Sequence, residues 1–262
     1  MNNITTNISI LIPSYNTCEK FIVECINSII NQKLTRKIEF EIVWIDDGSD
    51  EQNSIILHNS LKLFDKHSHI KVIYKKLSTN KGIVDALNIG LSLCSNELIF
   101  RMDSDDKMFP TRIQKQVDFM DKNINCMICG TQITYFKEIY NDGRYYYNTP
   151  ENNIPFGMFT FKDYLNNPVD WIMCHPTLCY RKDAINNVGN YDTNKIIKYS
   201  HMEDIALELK FLKKYGFIYN IEEPLLYYRI HNNQITYDNN TDDINKNFKK
   251  KYYLNYIKNI YN

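Results

Sequence analysis

Asp103-Ser104-Asp105-Asp106 sets three carboxylates side by side, directly after the apolar run Leu98-Ile99-Phe100-Arg101-Met102. Like charges crowded at one point repel, and a folded chain accommodates them best beside a cation. Carboxylate oxygens on a short turn suit a hard divalent ion, Mg2+ or Mn2+, with diphosphate oxygens completing its shell. The same residues also serve as an acidic turn that caps the next helix, so the motif alone leaves both readings open. Asp46-Asp47-Gly48-Ser49-Asp50 offers carboxylates that can accept from a base N–H or a ribose hydroxyl, and equally an Asp-Gly turn with a helix N-cap. Pro13-Ser14-Tyr15-Asn16 reads as a strand-to-helix turn whose Tyr15 can lie against a nucleobase. Asn80-Lys81-Gly82 places an amide, a cation and a glycine at a helix start, where backbone N–H groups and the helix dipole attract anions. There Asn80 also reads as a plain N-cap, and Lys81 either reaches phosphate or faces solvent.

These clusters need a scaffold that brings them together. The first half of the chain alternates β-branched runs with amphipathic stretches, the pattern of βαβ units and a largely parallel sheet. Ile8 to Ile12, Phe40 to Ile45, Ile70 to Tyr74 and Glu97 to Met102 read as strands. Between them, Cys18 to Gln32, Glu51 to Lys66 and Gly82 to Cys94 read as helices, the first with Phe21, Cys25, Ile26 and Ile29 at helical spacing. In an open α/β sheet the carboxyl ends of the strands border the ligand crevice, and each polar cluster follows a predicted strand or opens the helix after one. Beyond Pro110 a helix is expected to about Lys122, then an apolar stretch from Cys126 to Tyr135, then a Tyr-, Asn- and Pro-rich region of low regularity to about Pro168. Pattern returns as a helix from Met202 to Tyr215 and a strand from Pro224 to His231.

The 262 residues, 44% hydrophobic, suffice for one substantial core without disulfides. A formal net charge of zero supplies no bulk attraction to nucleic acid or to anionic membrane, so any anionic ligand must be captured locally. Seven cysteines scattered through apolar segments fit reduced thiols, and the lack of a leader-like start or a long apolar run leads us to expect a cytoplasmic protein. Cys126-Met-Ile-Cys129 has metal-ligand spacing, yet no second pair follows, and two buried thiols are expected there. Tyr145-Tyr146-Tyr147 either stacks on a sugar or packs onto the fold. The basic, aromatic tail places Phe248, Tyr252, Tyr256 and Ile260 at helical spacing; packing on its own domain, contact with a membrane and contact with a second copy, as in a homodimer, are its open uses.

Taken in order, Pro13-x-Tyr15-Asn16, Asp46-Asp47-Gly48-Ser49, Asn80-x-Gly82 through Asn88-x-Gly90 and Asp103-x-Asp105-Asp106 resemble the family 2 inverting glycosyltransferases. His175-Pro176-Thr177, Gly189-x-Tyr191-Asp192, Glu203-Asp204 and Tyr228-Arg229-Ile230-His231 look like that family's later landmarks. The resemblance implies a GT-A-like, Rossmann-like α/β fold: a mostly parallel central sheet flanked by helices, with a C-terminal acceptor-side region. It implies a metal-dependent enzyme that moves one sugar from a nucleoside-diphosphate sugar, a UDP-sugar by family frequency, to a hydroxyl on a glycan, lipid or protein. Asp204 is then the general base, with Glu203 and His175 on the acceptor side. Pro13, Tyr15, Asn16, Asp46, Asp47, Asn80, Lys81, Gly82, Asp103, Ser104 and Arg229 bind the donor, and Asp105, Asp103 and His231 hold Mn2+ or Mg2+. For Arg229 and His231 a structural role at a strand end stays open.

The expected organisation is one domain over residues 1–262: a nucleotide-sugar half to about 135, an acceptor and base half over about 136–236, and a C-terminal helix over about 237–262. Two departures from the family pattern matter. Its Ala-Arg-Asn segment reads Ala86-Leu87-Asn88, so one cation is missing, and no Q-x-x-R-W helix occurs, which points to single-sugar transfer rather than chain extrusion. A sugar-phosphate nucleotidyltransferase would need a Gly-rich N-terminal loop and a basic residue, which Pro13 to Lys20 does not supply. A non-catalytic nucleotide- or carbohydrate-binding module is the other alternative, and the presence of both Asp105 and Asp204 speaks against it.

Overall fold

The structure is a computed structural model and describes residues 6–139, 144–148, 155–166, 172–199, 201–232 and 234. The N-terminal half forms β1 (Thr6–Ser14), α1 (Glu19–Ile30), β2 (Ile38–Asp46), α2 (Glu51–Leu61), β3 (Ile70–Lys76), α3 (Ile83–Leu93) and β4 (Leu98–Arg101). Strands pair in parallel in the order β3-β2-β1-β4, as the alternating pattern predicts. Because successive side chains of a strand point to opposite faces, each strand feeds two cores. Ile8, Ile10, Ile12, Phe40, Ile42 and Trp44 pack with Ile22, Cys25, Ile26 and Ile29 of α1 and Leu57 and Leu61 of α2. Leu11, Val43, Ile45 and Ile99 face the other way, onto Val84, Leu87 and Leu91 of α3.

Two boundaries differ from expectation for local reasons. The predicted helix to Lys66 ends at Leu61, and Lys62–Lys66 tighten into a 3-10 turn that buries Phe64. Asn80 does not cap α3; the cap is Gly82, at φ +87°, a conformation that suits glycine.

The second half adds β5 (Lys107–Met108), α4 (Arg112–Lys122), β6 (Ile128–Ile139), β7 (Arg144–Asn148), β8 (Gly157–Thr160), α5 (Phe161–Asn166), β9 (Cys179–Arg181), α6 (Lys182–Asn187), α7 (Lys195–Tyr199), α8 (Glu203–Tyr215) and β10 (Phe217–Arg229). All ten described strands join one sheet, in the order β3-β2-β1-β4-β9-β6-β10-β5, with β7 on β6 and β8 on β10. Here directions mix: β9 runs antiparallel to β4 and β6, whereas β6 and β10 are parallel. β10 begins well before the predicted Pro224. The proline lacks an N–H, and the register with β6 shifts on either side of it, so the strand passes through a bulge rather than starting there. The region of low sequence regularity contributes β7, β8 and α5, while the predicted C-terminal helix lies outside the described residues.

Candidate active site

β4 delivers the acidic turn. After Arg101 the chain turns through 103–106 and returns as β5, which pairs antiparallel with Leu226 and Tyr227. That pairing sets the end of β10 against the turn. One oxygen from each of Asp103, Asp105 and Asp106 lies within 4.8 Å of the others. Asp106 is 2% exposed; its Oδ1 accepts from the backbone N–H of Arg229 at 2.8 Å, and its Oδ2 is buried without a hydrogen-bond partner. Burial, then the charges of Asp105 and Asp103, push its pKa well above the usual carboxylate range. Burial also raises Asp103, opposed by the guanidinium of Arg101 at 2.5 Å and reinforced by Asp105. His231 brings Nε2 to 2.9 Å from Asp105 Oδ2. Crowded carboxylates with an unsatisfied buried oxygen are the donor set a hard divalent ion satisfies, so these residues fit Mg2+ or Mn2+.

Arg229 is almost fully enclosed. Its guanidinium is buried between the rings of Phe21 and Phe136, 4.1 and 4.4 Å from their centroids. Nε donates to the carbonyl of Asp105 at 2.5 Å and Nη2 to Glu24 Oε2 at 2.6 Å. The open structural alternative for Arg229 is the one its contacts match: it braces the acidic turn. Ser104 is likewise buried, its hydroxyl 2.8 Å from that of Thr17.

At the end of β2 the two aspartates part ways. Asp46 is fully buried, and its carboxylate accepts from Ser49 N–H at 2.8 Å, Ser54 Oγ at 2.6 Å and the Tyr74 hydroxyl at 3.1 Å. It builds the turn and has no face left for a nucleoside. Asp47 bridges two backbone donors, Lys81 N–H and Gly82 N–H, each at 2.8 Å, which fixes the start of α3 beside the ends of β1 and β2. Burial raises its pKa and those two N–H groups lower it. The Lys81 side chain is exposed, as is that of Asn80. Pro13 is buried in β1, Tyr15 stands 51% exposed beside it, and Asn16, at φ +48°, accepts from Asp50 N–H. Asp50 in turn caps α2 through Asn53 N–H, which realises the N-cap reading of this segment.

The proposed base comes from α8, the next helix after the Gly189-x-Tyr191-Asp192 loop and α7. Asp204 lies in its first turn, half-buried, with Oδ1 accepting from Ile205 N–H at 2.7 Å. Burial, then the neighbouring charge of Glu203, raise its pKa to about 7. Glu203 is itself buried, 3.9 Å from His175 Nδ1. His175 Nε2 lies 2.8 Å from the Tyr191 hydroxyl. Burial, and after it the charge of Arg101, hold His175 well below its ordinary value, which keeps the ring neutral. Asn88 closes the chain of contacts: its amide donates to Tyr191 C=O and accepts from Tyr191 N–H, both at 3.0 Å. Thus α3, the 189–192 loop and the His175 turn form one hydrogen-bonded frame, with Glu203 at the start of α8 close beside it.

Sequence reasoning missed Arg101 and Glu24. Arg101 is visible in hindsight as the one cation in an apolar strand; it is 1% exposed and its charge acts on Asp103, Asp106 and Asp204 together. Glu24 carries no local signal. Tyr145 packs onto Phe136, and Tyr147 lies against Phe136 and Tyr227 while it, like Tyr146, stays exposed. Cys126 and Cys129 are free and buried, as expected. A surface cleft of about 210 Å³ lined by Phe119, Ile124, Phe217 and Tyr219 shares no residue with this site.

The parallel β3-β2-β1-β4 core, with an acidic turn at the end of β4 and helices on both faces, is the architecture of a GT-A-type glycosyltransferase. Residues 9–204 match the family model described as Glycosyl transferase family 2. An uncharacterized glycosyltransferase of Haemophilus influenzae is 31% identical over 219 residues, covering 83% of this chain and 73% of that one. A putative glycosyltransferase, EpsE, of Bacillus subtilis is 31% identical over 83% of this chain and 71% of its own length. Among solved structures, residues 1–349 of S. aureus TarS in complex with UDP-GlcNAc superimpose with a TM-score of 0.64 at 20% identity; the match covers 87% of this chain but 60% of that protein. This chain belongs to glycosyl transferase family 2 and is a glycosyltransferase. No helix among the described residues is long and apolar enough to cross a membrane.

Proposed function

We propose that this enzyme transfers a single sugar, with inversion, from a nucleoside-diphosphate sugar to an acceptor hydroxyl on a glycan, lipid or protein. The observation that carries this reading is the convergence of Asp103, Asp105 and Asp106, with His231, at the end of β4. Asp105, Asp103 and His231, joined by the unpartnered oxygen of Asp106, would hold Mn2+ or Mg2+, whose chemistry there is Lewis-acid stabilisation of the departing diphosphate. A UDP-sugar is the donor we favour, since TarS, a structural neighbour, was solved with UDP-GlcNAc.

On the donor side, exposed Tyr15 offers a ring for the base, and the segment Asn80-Lys81-Gly82, pinned by Asp47, forms the adjoining wall. Asp46 supports that wall from inside. On the acceptor side, Asp204 takes the hydroxyl proton as the acceptor oxygen attacks the anomeric carbon from the face opposite the diphosphate, so configuration inverts without a covalent intermediate. A carboxyl near pH 7 is tuned for this task, being deprotonated enough to accept a proton and basic enough to keep it. Glu203 and His175 line the acceptor side beside Asp204. The donor half then spans residues to about 135 and the acceptor half about 136–236.

The test is a panel of nucleotide sugars incubated with the protein and Mn2+, Mg2+ or EDTA, reading released nucleoside diphosphate. Metal-dependent release from one donor is expected and would identify the sugar; release unaffected by EDTA would overturn the metal assignment. Once an acceptor is known, the anomeric configuration of the product by NMR checks inversion.

A further inference from the structure

Glu24 belongs to none of the motifs of the donor or acceptor site, yet it lies at the centre of the contacts behind the acidic turn. It projects from α1, and three groups from distant parts of the chain meet it. Arg229 Nη2 approaches Oε2 at 2.6 Å, Lys107 Nζ lies 3.9 Å from the same oxygen, and the Tyr145 hydroxyl donates to Oε1. Phe21, one turn earlier on α1, carries the Arg229 guanidinium on its ring and sets its edge against His231, with ring centroids 5.0 Å apart. Arg229 then reaches the turn at two points, through Nε to the Asp105 carbonyl and through its backbone N–H to Asp106 Oδ1.

We propose that Glu24 is a positioning residue for the cation site: through Arg229 it fixes the acidic turn, and through Tyr145 it ties that turn to the β6–β7 hairpin. The inference rests on the reading of the turn as a divalent-cation site.

The physical argument concerns where the charge of Arg229 goes. Its guanidinium is buried, with Nε on the Asp105 carbonyl of the acidic turn, and a buried cation needs a counter-charge close by. Glu24 supplies that counter-charge from the side away from the turn, which leaves the carboxylates of Asp103 and Asp105 and the Oδ2 of Asp106 to face one another. Without Glu24 the guanidinium has no carboxylate partner but these, so it would compete for the oxygens that face the ion and add positive charge beside it. The tyrosine hydroxyl holds Glu24 in the rotamer that serves Arg229. Lys107, half-buried with Nζ 4.4 Å from the Phe136 centroid and 4.6 Å from that of Tyr145, screens the remaining charge of Glu24. A contact made on the exposed face of the hairpin, at Tyr146, therefore has a direct covalent and hydrogen-bonded route to the metal turn.

The experiment is a Mn2+ titration of the purified full-length protein, followed by loss of the free-ion EPR signal, for the wild type, Asp105→Asn, Glu24→Gln and Tyr145→Phe, with thermal unfolding of each. Wild type is expected to bind and Asp105→Asn to lose binding. Glu24→Gln should bind on the order of ten-fold more weakly, the usual range for partners that orient a metal's ligands. Tyr145→Phe, which removes one hydroxyl and leaves the charge, should weaken binding by a few-fold and is the decisive variant if Glu24→Gln fails to fold. In turnover with the donor identified above, both variants should need more Mn2+ for half-activation while approaching wild-type kcat when Mn2+ saturates, a split that general destabilisation does not produce. Unchanged Mn2+ affinity in a folded Glu24→Gln or Tyr145→Phe protein would overturn the positioning role and leave the cation site standing. Absence of Mn2+ binding by the wild type would instead overturn the cation site, and this inference with it.

Discussion

At Asp204 the burial that raises the carboxyl to about 7 acts on catalysis and on stability in opposite senses. The base works only when deprotonated, so kcat/KM should climb with pH through about 7 and level off above it, read from a pH–rate profile. Asp204→Asn should lower transfer by roughly 10²–10⁴-fold, the contribution typical of general base catalysis, while donor-dependent metal binding persists. Loss of both together would remove Asp204 from the role of base. For stability the sign is reversed. The raised pKa means the fold favours the neutral carboxyl, so this group's stabilisation is full below the ordinary carboxylate range and is lost as pH rises through about 7. Asn cannot ionise, and Asp204→Asn should therefore melt well above wild type at pH 8, by less at pH 5, and nearly level with it near pH 3, as thermal unfolding across these pH values would reveal. Residues built for chemistry commonly carry such a stability cost.

Elements explain why glycines and buried acids recur in these motifs. Gly48 follows the two aspartates at φ +72°, and a Cβ there would come within 2.3 Å of the Thr79 carbonyl carbon and 2.5 Å of Asn80 N. The turn after β2 thus touches the segment leading to α3 backbone to backbone. Gly48→Ala should destabilise by about 2 kcal/mol or more, from strain and steric displacement combined, visible as a lowered midpoint in denaturant unfolding. Asp47→Ala tests the same junction chemically. It would leave the N–H groups of Lys81 and Gly82 without their carboxylate, so donor KM should rise more than kcat falls; an unchanged KM would detach this junction from donor binding. Gly90 serves packing instead, since a Cβ there would sit 2.2 Å from Leu11 Cδ1. It lets α3 close onto the sheet and brings Asn88 within reach of Tyr191.

At the scale of the whole molecule, one sheet carries both halves of the site. Strands β1 and β2 end beside the start of α3, β4 ends in the acidic turn, and β10 returns from the second half to brace that turn. Donor nucleotide and metal should therefore act on the whole fold as one ligand set. With Mn2+ present, UDP at 100-fold its dissociation constant should stabilise the native state by about 2.7 kcal/mol and raise the Tm by about 5 °C. EDTA should abolish the shift. A shift that survives EDTA would show nucleotide binding independent of the metal.

Much of this was legible in the chain itself. The continuous apolar, β-branched runs of β1, β2 and β4, buried on both faces, and the 3.6-residue spacing of α1 encode local geometry. The order of the polar clusters was likewise enough to suggest the family, and Asp204 fell in the first turn of a helix as expected. Tertiary structure decided the rest. Adjacent Asp46 and Asp47 look equivalent in sequence, yet alternation along β2 turns one into the core and leaves the other at the strand end. Arg229 reads equally as an anion ligand and as a structural residue at a strand end, and only the fold surrounds it with Glu24, Phe21 and Phe136. The partners of these side chains lie scores of residues away, and no local pattern records a contact that only chain folding creates.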